Sequence, residues 1–158
     1  MMLSRTKKLF LIIFSFFLFS PLFATDLLIT TSGHYQLGNN LAGNGDSNGT
    51  IRIQASYVIL DLGGYTVFQG NSSSNANGIV VDPGLTNIII QNGTVSGFTT
   101  NGISVGSNCN KLSINNLIIQ NCTATGTSGS GITVGSGGAN ISIDSVLITA
   151  CTNNAITL

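Results

Sequence analysis

The stretch NGISVGSNCNKLSINNLIIQNC, residues 101–122, decides the fold. It runs in three short bursts of alternating apolar and small polar residues, with Asn or Gly at every corner and a single charge, Lys111. Period-two alternation bounded by Gly, Asn and Ser is the pattern of short strands joined by tight turns. Its first burst, Ile103–Val105, recurs along the chain as IRI from Ile51, IVV from Ile79, ITV from Ile132 and ITL from Ile156, at spacings of 28, 24, 29 and 24 residues. Gly78, Gly102, Gly131 and Ala155 stand directly before four of these five copies. A second strand follows each of the first four, at Val58–Leu60, Ile88–Ile90, Leu112–Ile114 and Ile141–Ile143, and a third is carried by Val67, Val95, Ile119 and Ile148.

A period in the twenties with three strands per unit belongs to a solenoid, because one such unit cannot bury its apolar face alone and must stack on the next. Helical repeats need a 3.6-residue pattern and roughly 33 residues or more per unit, and no such pattern occurs here. The expected fold is all-β, a right-handed parallel β-helix of about four to five coils preceded by a capping segment. Ile90, Ile114 and Ile143 should form one inward column. Asn92, Asn116 and Ser145 occupy equivalent corners after the second strand and should form a structural ladder, since stacked amides can hydrogen-bond across the roughly 4.8 Å between strands. The extra residues of the 29-residue unit fall in TATGTSGSG, residues 123–131, a loop on one face.

Residues 1–24 are set apart as a signal peptide. Arg5, Lys7 and Lys8 precede the apolar run Leu9–Phe14, which continues past Ser15 as Phe16–Phe19, Pro21 interrupts the helix-forming stretch, and Ala24 supplies the small residue before a cut at Thr25. The apolar run is shorter than the roughly 18 to 20 residues that span a bilayer. The expected location is therefore secreted, periplasmic or cell-surface, with membrane contact only through the signal segment. Removing it leaves Arg52 and Lys111 against Asp26, Asp46, Asp61, Asp82 and Asp144, a net charge of −3. Two cations make no patch able to neutralise a run of phosphates, which argues against nucleic acid as a partner.

The segment GTIRIQASYVILDLGGYTVFQG, residues 49–70, resembles the first coil of secreted bacterial right-handed parallel β-helix proteins of the pectate lyase-like superfamily, and ITTSGHYQLGNNL, residues 29–41, resembles the capping segment placed ahead of it. On that resemblance the chain divides into a cap segment over 25–48 and coils over 49–158, open at the C-terminal end. The superfamily contains lyases, hydrolases, epimerases, tailspikes and adhesins, so the resemblance implies a fold and leaves activity open. It implies polysaccharide or a cell-surface glycan as partner. In a lyase of the family, clustered carboxylates hold calcium and an Arg or Lys acts as base.

Neither chemistry finds its residues in this chain. Asp61 aligns with Gln91, Asn115 and Asp144, so Asp61 and Asp144 stand three coils apart, roughly 14 Å at the strand spacing. That is too far to share one ion or to form a hydrolase pair, which works at about 5 to 10 Å. Asp82 opens an ordinary Asp-Pro-Gly turn, and Asp46 lies in the loop GNGDSNG. His34 is a lone histidine in the cap. Arg52 points outward between Ile51 and Ile53 as the cation available near Asp61. No catalytic residue, metal site or cofactor is assigned, calcium entering only if the chain is part of an enzyme. Arg52, Asp61 and Asp144 are retained as candidate glycan contacts. Cys122 and Cys151 fall at the same position of successive coils beneath Phe98, at a spacing that admits either a packed column or a bridge, while Cys109 has no matching partner. Thr66, Thr94, Ile118 and Leu147 align as an outward column with two adjacent apolar members.

The chain stops at AITL, residues 155–158, without a segment to cover the last coil's edge. Open strand edges are normally covered, so missing coils or another chain are expected there. Two functional readings follow: a scaffold, adhesin-like or carbohydrate-binding module without catalysis in this segment, or the N-terminal part of a polysaccharide lyase or glycoside hydrolase whose catalytic coils lie beyond residue 158.

Overall fold

Ile and Val at alternate positions give each short strand one apolar and one polar face, and only stacking hides the apolar one. The computed structural model, which describes residues 26–45, 47–71, 75–123 and 129–158, is an all-β parallel solenoid of about five turns. The expected signal segment, Asp46 and residues 124–128 of the expected loop lie outside the described residues. Among those described there is no helix.

The first turn contains β1 (Leu27–Ile29), β2 (Gly33–Gln36) and β3 (Leu41–Gly43), and the second β4 (Ile51–Ile53), β5 (Val58–Asp61) and β6 (Thr66–Gln69). The next three turns each have two strands: β7 (Ile79–Val81) with β8 (Thr86–Ser96), β9 (Ile103–Val105) with β10 (Asn110–Gln120), and β11 (Ile132–Val134) with β12 (Ala139–Thr149). A last strand, β13 (Ile156–Thr157), begins a further turn. One parallel sheet stacks β1, β4, β7, β9, β11 and β13 in that order; a second stacks β2, β5, β8, β10 and β12, with β3 and β6 joining it beside β8. The stretch resembling a cap is thus itself built on the three-strand plan: β1, β2 and β3 pair in parallel with β4, β5 and β6.

The second and third strands differ in one respect from the three-burst expectation. In the second turn they are separated by the corner Leu62–Tyr65, with Gly63 and Gly64 at positive φ. From the third turn on this corner shrinks, because Gln91 pairs with Asp61 and Thr94 with Thr66, leaving only Asn92 and Gly93 between them. A single left-handed residue bends the strand without interrupting it, and β8, β10 and β12 each run through the bend as eleven residues.

The interior is a set of straight columns. Leu60, Ile90, Ile114 and Ile143 are in register, the first three fully buried and Ile143 half-buried. Gly78, Gly102 and Gly131 form another column, and here the chain has no room for a side chain. A Cβ on Gly102 would lie 2.5 Å from the Ile119 Cγ2 and 2.8 Å from the Gly131 carbonyl oxygen. These three positions are glycine because Val95, Ile119 and Ile148 press against them.

Ile114→Asp places a charge in the middle of a dry column and should cost several kcal/mol, whereas Ile114→Val should cost about 1 kcal/mol. Thermal unfolding of the two variants checks this. A wild-type melting temperature for Ile114→Asp contradicts the register.

Candidate functional site

The corner between the two halves of the long strands carries the best-developed polar network. Asn92, Asn116 and Ser145 all sit at positive φ, 60°, 50° and 53°. Asn is the side chain that adopts this region most readily after Gly. Asn116 Nδ2 donates to Asn92 Oδ1 at 2.9 Å, and Asn92 Nδ2 donates to Asp61 Oδ2 at 2.9 Å. The ladder expected from sequence is formed from Asn116 to Asn92, but it ends at Asp61. At the other end Ser145 shares the backbone conformation and turns its hydroxyl to Asp144 Oδ2, 3.0 Å away. A hydroxyl is too short to imitate the amide.

Asp61 also accepts from the Gly63 amide at 2.8 Å and from Gln91 Nε2 at 3.0 Å. Partial burial pushes its pKa up. The hydrogen bonds from Gly63, Gln91 and Asn92, with the charge of His34 on the neighbouring turn, outweigh that and hold the carboxyl below its ordinary value. Asp61, Gln91, Asn115 and Asp144 do form one outward column, as read from sequence, with two uncharged residues between the carboxylates.

Arg52 is engaged elsewhere. It lies on β4 in the other sheet, where its Nε meets Asp82 Oδ1 at 2.8 Å and its Nη2 meets Asp82 Oδ2 at 3.1 Å. Nη1 donates to Asn48 Oδ1 at 3.1 Å, and Gln54 Nε2 completes the Asp82 carboxylate at 2.9 Å. Asp82, read from sequence as a turn former, is therefore the partner of Arg52, the residue read from sequence as the cation near Asp61. A planar guanidinium on one coil and a carboxylate one coil further on make a two-pronged clamp across the stack. Burial raises the Asp82 pKa, and the bonds from Arg52 and Gln54 bring it below the ordinary value.

His34 lies exposed on β2 in register with Ile59. Among the described residues no three His, Cys, Asp or Glu side chains come together as a metal site. The three cysteines carry free thiols, with Cys109 and Cys122 buried and Cys151 half-buried.

The outward face of the third-strand segment is of a different kind. Thr66, Thr94, Ile118 and Leu147 form one column, and Phe68, Ser96, Gln120 and Thr149 the next. Ile118 and Leu147 are 40% and 56% exposed, and Phe68 37%. Beside them runs a groove of ≈ 360 Å³ lined by Gly64, Asn92, Thr94, Asn116, Ile118, Ser145 and Leu147. The first column was visible in the repeat alignment; the groove was not, since it is made by the left-handed corner that lifts the Asn column beside the apolar one.

Comparison with protein-family models, curated proteins and solved structures gives no match.

Both lowered carboxylates set an acid limit. A group whose folded pKa lies below its unfolded value adds stability above the unfolded pKa, about 3.9 for Asp, and loses it as pH falls through the folded pKa. Asp82→Asn should therefore cost about 1 kcal/mol or less at pH 7, as expected for a part-exposed pair. The difference from wild type should shrink as pH falls below the unfolded value of about 3.9 and disappear once pH is below the folded pKa. Urea unfolding across this acid range measures it, and a difference that does not shrink in acid removes the ion pair as its cause.

Proposed function

We propose that this chain is an exported β-solenoid module that binds uncharged polysaccharide on its outer face and performs no catalysis in this segment. The observation that carries the reading is the third-strand face with its adjoining groove. Eight aligned positions contain hydroxyl, amide and apolar side chains and no charge. Sugar rings offer C–H faces beside hydroxyl groups, and a site that joins Ile118 and Leu147 to the Asn92, Asn116 and Ser145 corner matches both. An acidic sugar is a poorer ligand, because the Arg52 guanidinium is clamped by Asp82 on the other sheet. The pattern of residues 1–24 supports export, and the likeness of residues 49–70 to pectate lyase-like β-helices supports carbohydrate as the ligand class.

Purified protein should be retained on at least one of a panel of insoluble neutral glycans, independently of salt. The double variant Ile118→Ser with Asn116→Ala should weaken retention roughly tenfold, about 1.4 kcal/mol. Incubation with polygalacturonate, with or without calcium, should release no unsaturated product. Salt-sensitive binding to polygalacturonate alone contradicts the proposal. Calcium-dependent product release abolished by Asp61→Ala or Arg52→Ala would establish the enzyme reading instead.

A further inference from the structure

We infer that Cys122 and Cys151 are a coil-to-coil disulfide site that staples the turn of β11 and β12 to the turn of β9 and β10. Three observations place the two thiols together. The Thr123 amide bonds the Phe98 carbonyl at 3.0 Å and the Thr152 amide bonds the Cys122 carbonyl at 3.1 Å, so Phe98, Cys122 and Cys151 stack in one column. Asn121 and Ala150, the residues just before the two cysteines, have φ of 55° and 52°, so both side chains leave the backbone in the same local geometry. The strand register that pairs Gln120 with Thr149 leads directly to both cysteines, two residues further on.

Neighbouring turns are about 4.8 Å apart, inside the usual Cα separation for a disulfide of about 4.4 to 6.8 Å. Each thiol also makes a long contact with the carbonyl two residues before it, 3.7 Å to Gln120 for Cys122 and 3.6 Å to Thr149 for Cys151. Both positions lie just past the ends of β10 and β12.

The oxidant is a small-molecule disulfide. The Cys151 thiolate attacks one of its sulfurs and expels a thiolate, which takes up a proton, leaving a mixed disulfide on Cys151. The Cys122 thiolate then attacks the Cys151 sulfur and expels the second small thiolate, which is protonated in turn. Two protein thiols are oxidised, one disulfide is reduced to two thiols, and both protein protons end on the released thiols. The order follows from burial, since Cys151 is half-buried and Cys122 fully buried. Burial, reinforced by the neighbouring Cys151, pushes the Cys122 thiol up to about 12. Closure is therefore the slow step and should quicken about tenfold per pH unit around neutrality.

In a solenoid each turn is held by its neighbours. The inward side chains Ile141, Ile143, Val146 and Ile148 of β12 are only half-buried, while Leu112, Ile114, Leu117 and Ile119 of β10 are buried. A bond from Cys122 to Cys151 encloses the whole of β11 and β12.

The protein expressed from the full sequence is reduced, freed of reductant and incubated with oxidised glutathione between pH 7 and 9. Peptide mapping should find a Cys122–Cys151 cross-link in a monomer, with Cys109 still free, forming faster as pH rises. The oxidised form should melt roughly 5 to 10 °C higher than the reduced form. Cys151→Ser, a change on a half-buried terminal position, should melt like reduced wild type and gain nothing from oxidation. A glutathione adduct that persists on Cys151 without closure, a cross-link through Cys109, or closure that leaves the melting temperature unchanged would each overturn the inference.

Discussion

Corners of positive φ, held in register from one turn to the next, organise this solenoid. Tyr57, just before β5, stacks with Asn87, Lys111 and Asn140, the second residues of β8, β10 and β12, all with φ between 50° and 62°. Gly84, Asn108 and Gly137 stack after the first strand, Asn92, Asn116 and Ser145 inside the long strand, and Gly97, Asn121 and Ala150 after it. An L-residue in this region costs roughly 1–2 kcal/mol, except that Gly, and to a lesser degree Asn, visits it readily. A one-residue slip would move the Tyr57, Asn87, Lys111 and Asn140 column onto Val58, Ile88, Leu112 and Ile141 and turn the apolar face outward. Corner chemistry and inward alternation therefore specify the same register, and each protects the other.

That agreement explains what could be read before the structure. The Ile79, Ile103, Ile132 and Ile156 repeat, the Leu60 to Ile143 column and the Asp61 to Asp144 column follow from periodicity alone, because every turn repeats one plan. The Asn92 and Asn116 ladder followed from residue type at a repeated position. What was not legible depends on chemistry between unlike positions. Arg52 stands within a first strand and Asp82 in the corner that follows the next one, so alignment by repeat never places them side by side. Lys111 and Ala150 are ordinary residues whose left-handed backbone shows only from their columns. The N-terminal stretch 25–48 lacks the Gly–Ile signature of the other turns, and its three-strand plan emerged from pairing rather than from pattern.

The face proposed for glycan follows from the same geometry. A corner of one left-handed residue keeps the strand continuous, so the outward side chains on either side of the bend lie close together. This sets Asn92, Asn116 and Ser145 beside Thr94, Ile118 and Leu147 along one groove. The charged side chains Arg52 and Asp82 satisfy each other on the opposite sheet, and Asp61 is satisfied by amides. The face proposed for glycan is thus the one where polarity is neutral and apolar surface is left exposed.

The most direct test of the corner account is Lys111, an exposed residue at φ 52° in a column with Asn87 and Asn140. Denaturant unfolding of Lys111→Asn and Lys111→Val gives the comparison. Asn relieves the left-handed strain and should raise stability by about 0.5–1 kcal/mol, although it removes a charge. Val, branched at Cβ, should lower it by about 1–2 kcal/mol. Opposite shifts are the predicted result, and equal shifts, or a Val variant as stable as Asn, would contradict the claim that left-handed corners hold the turns in register.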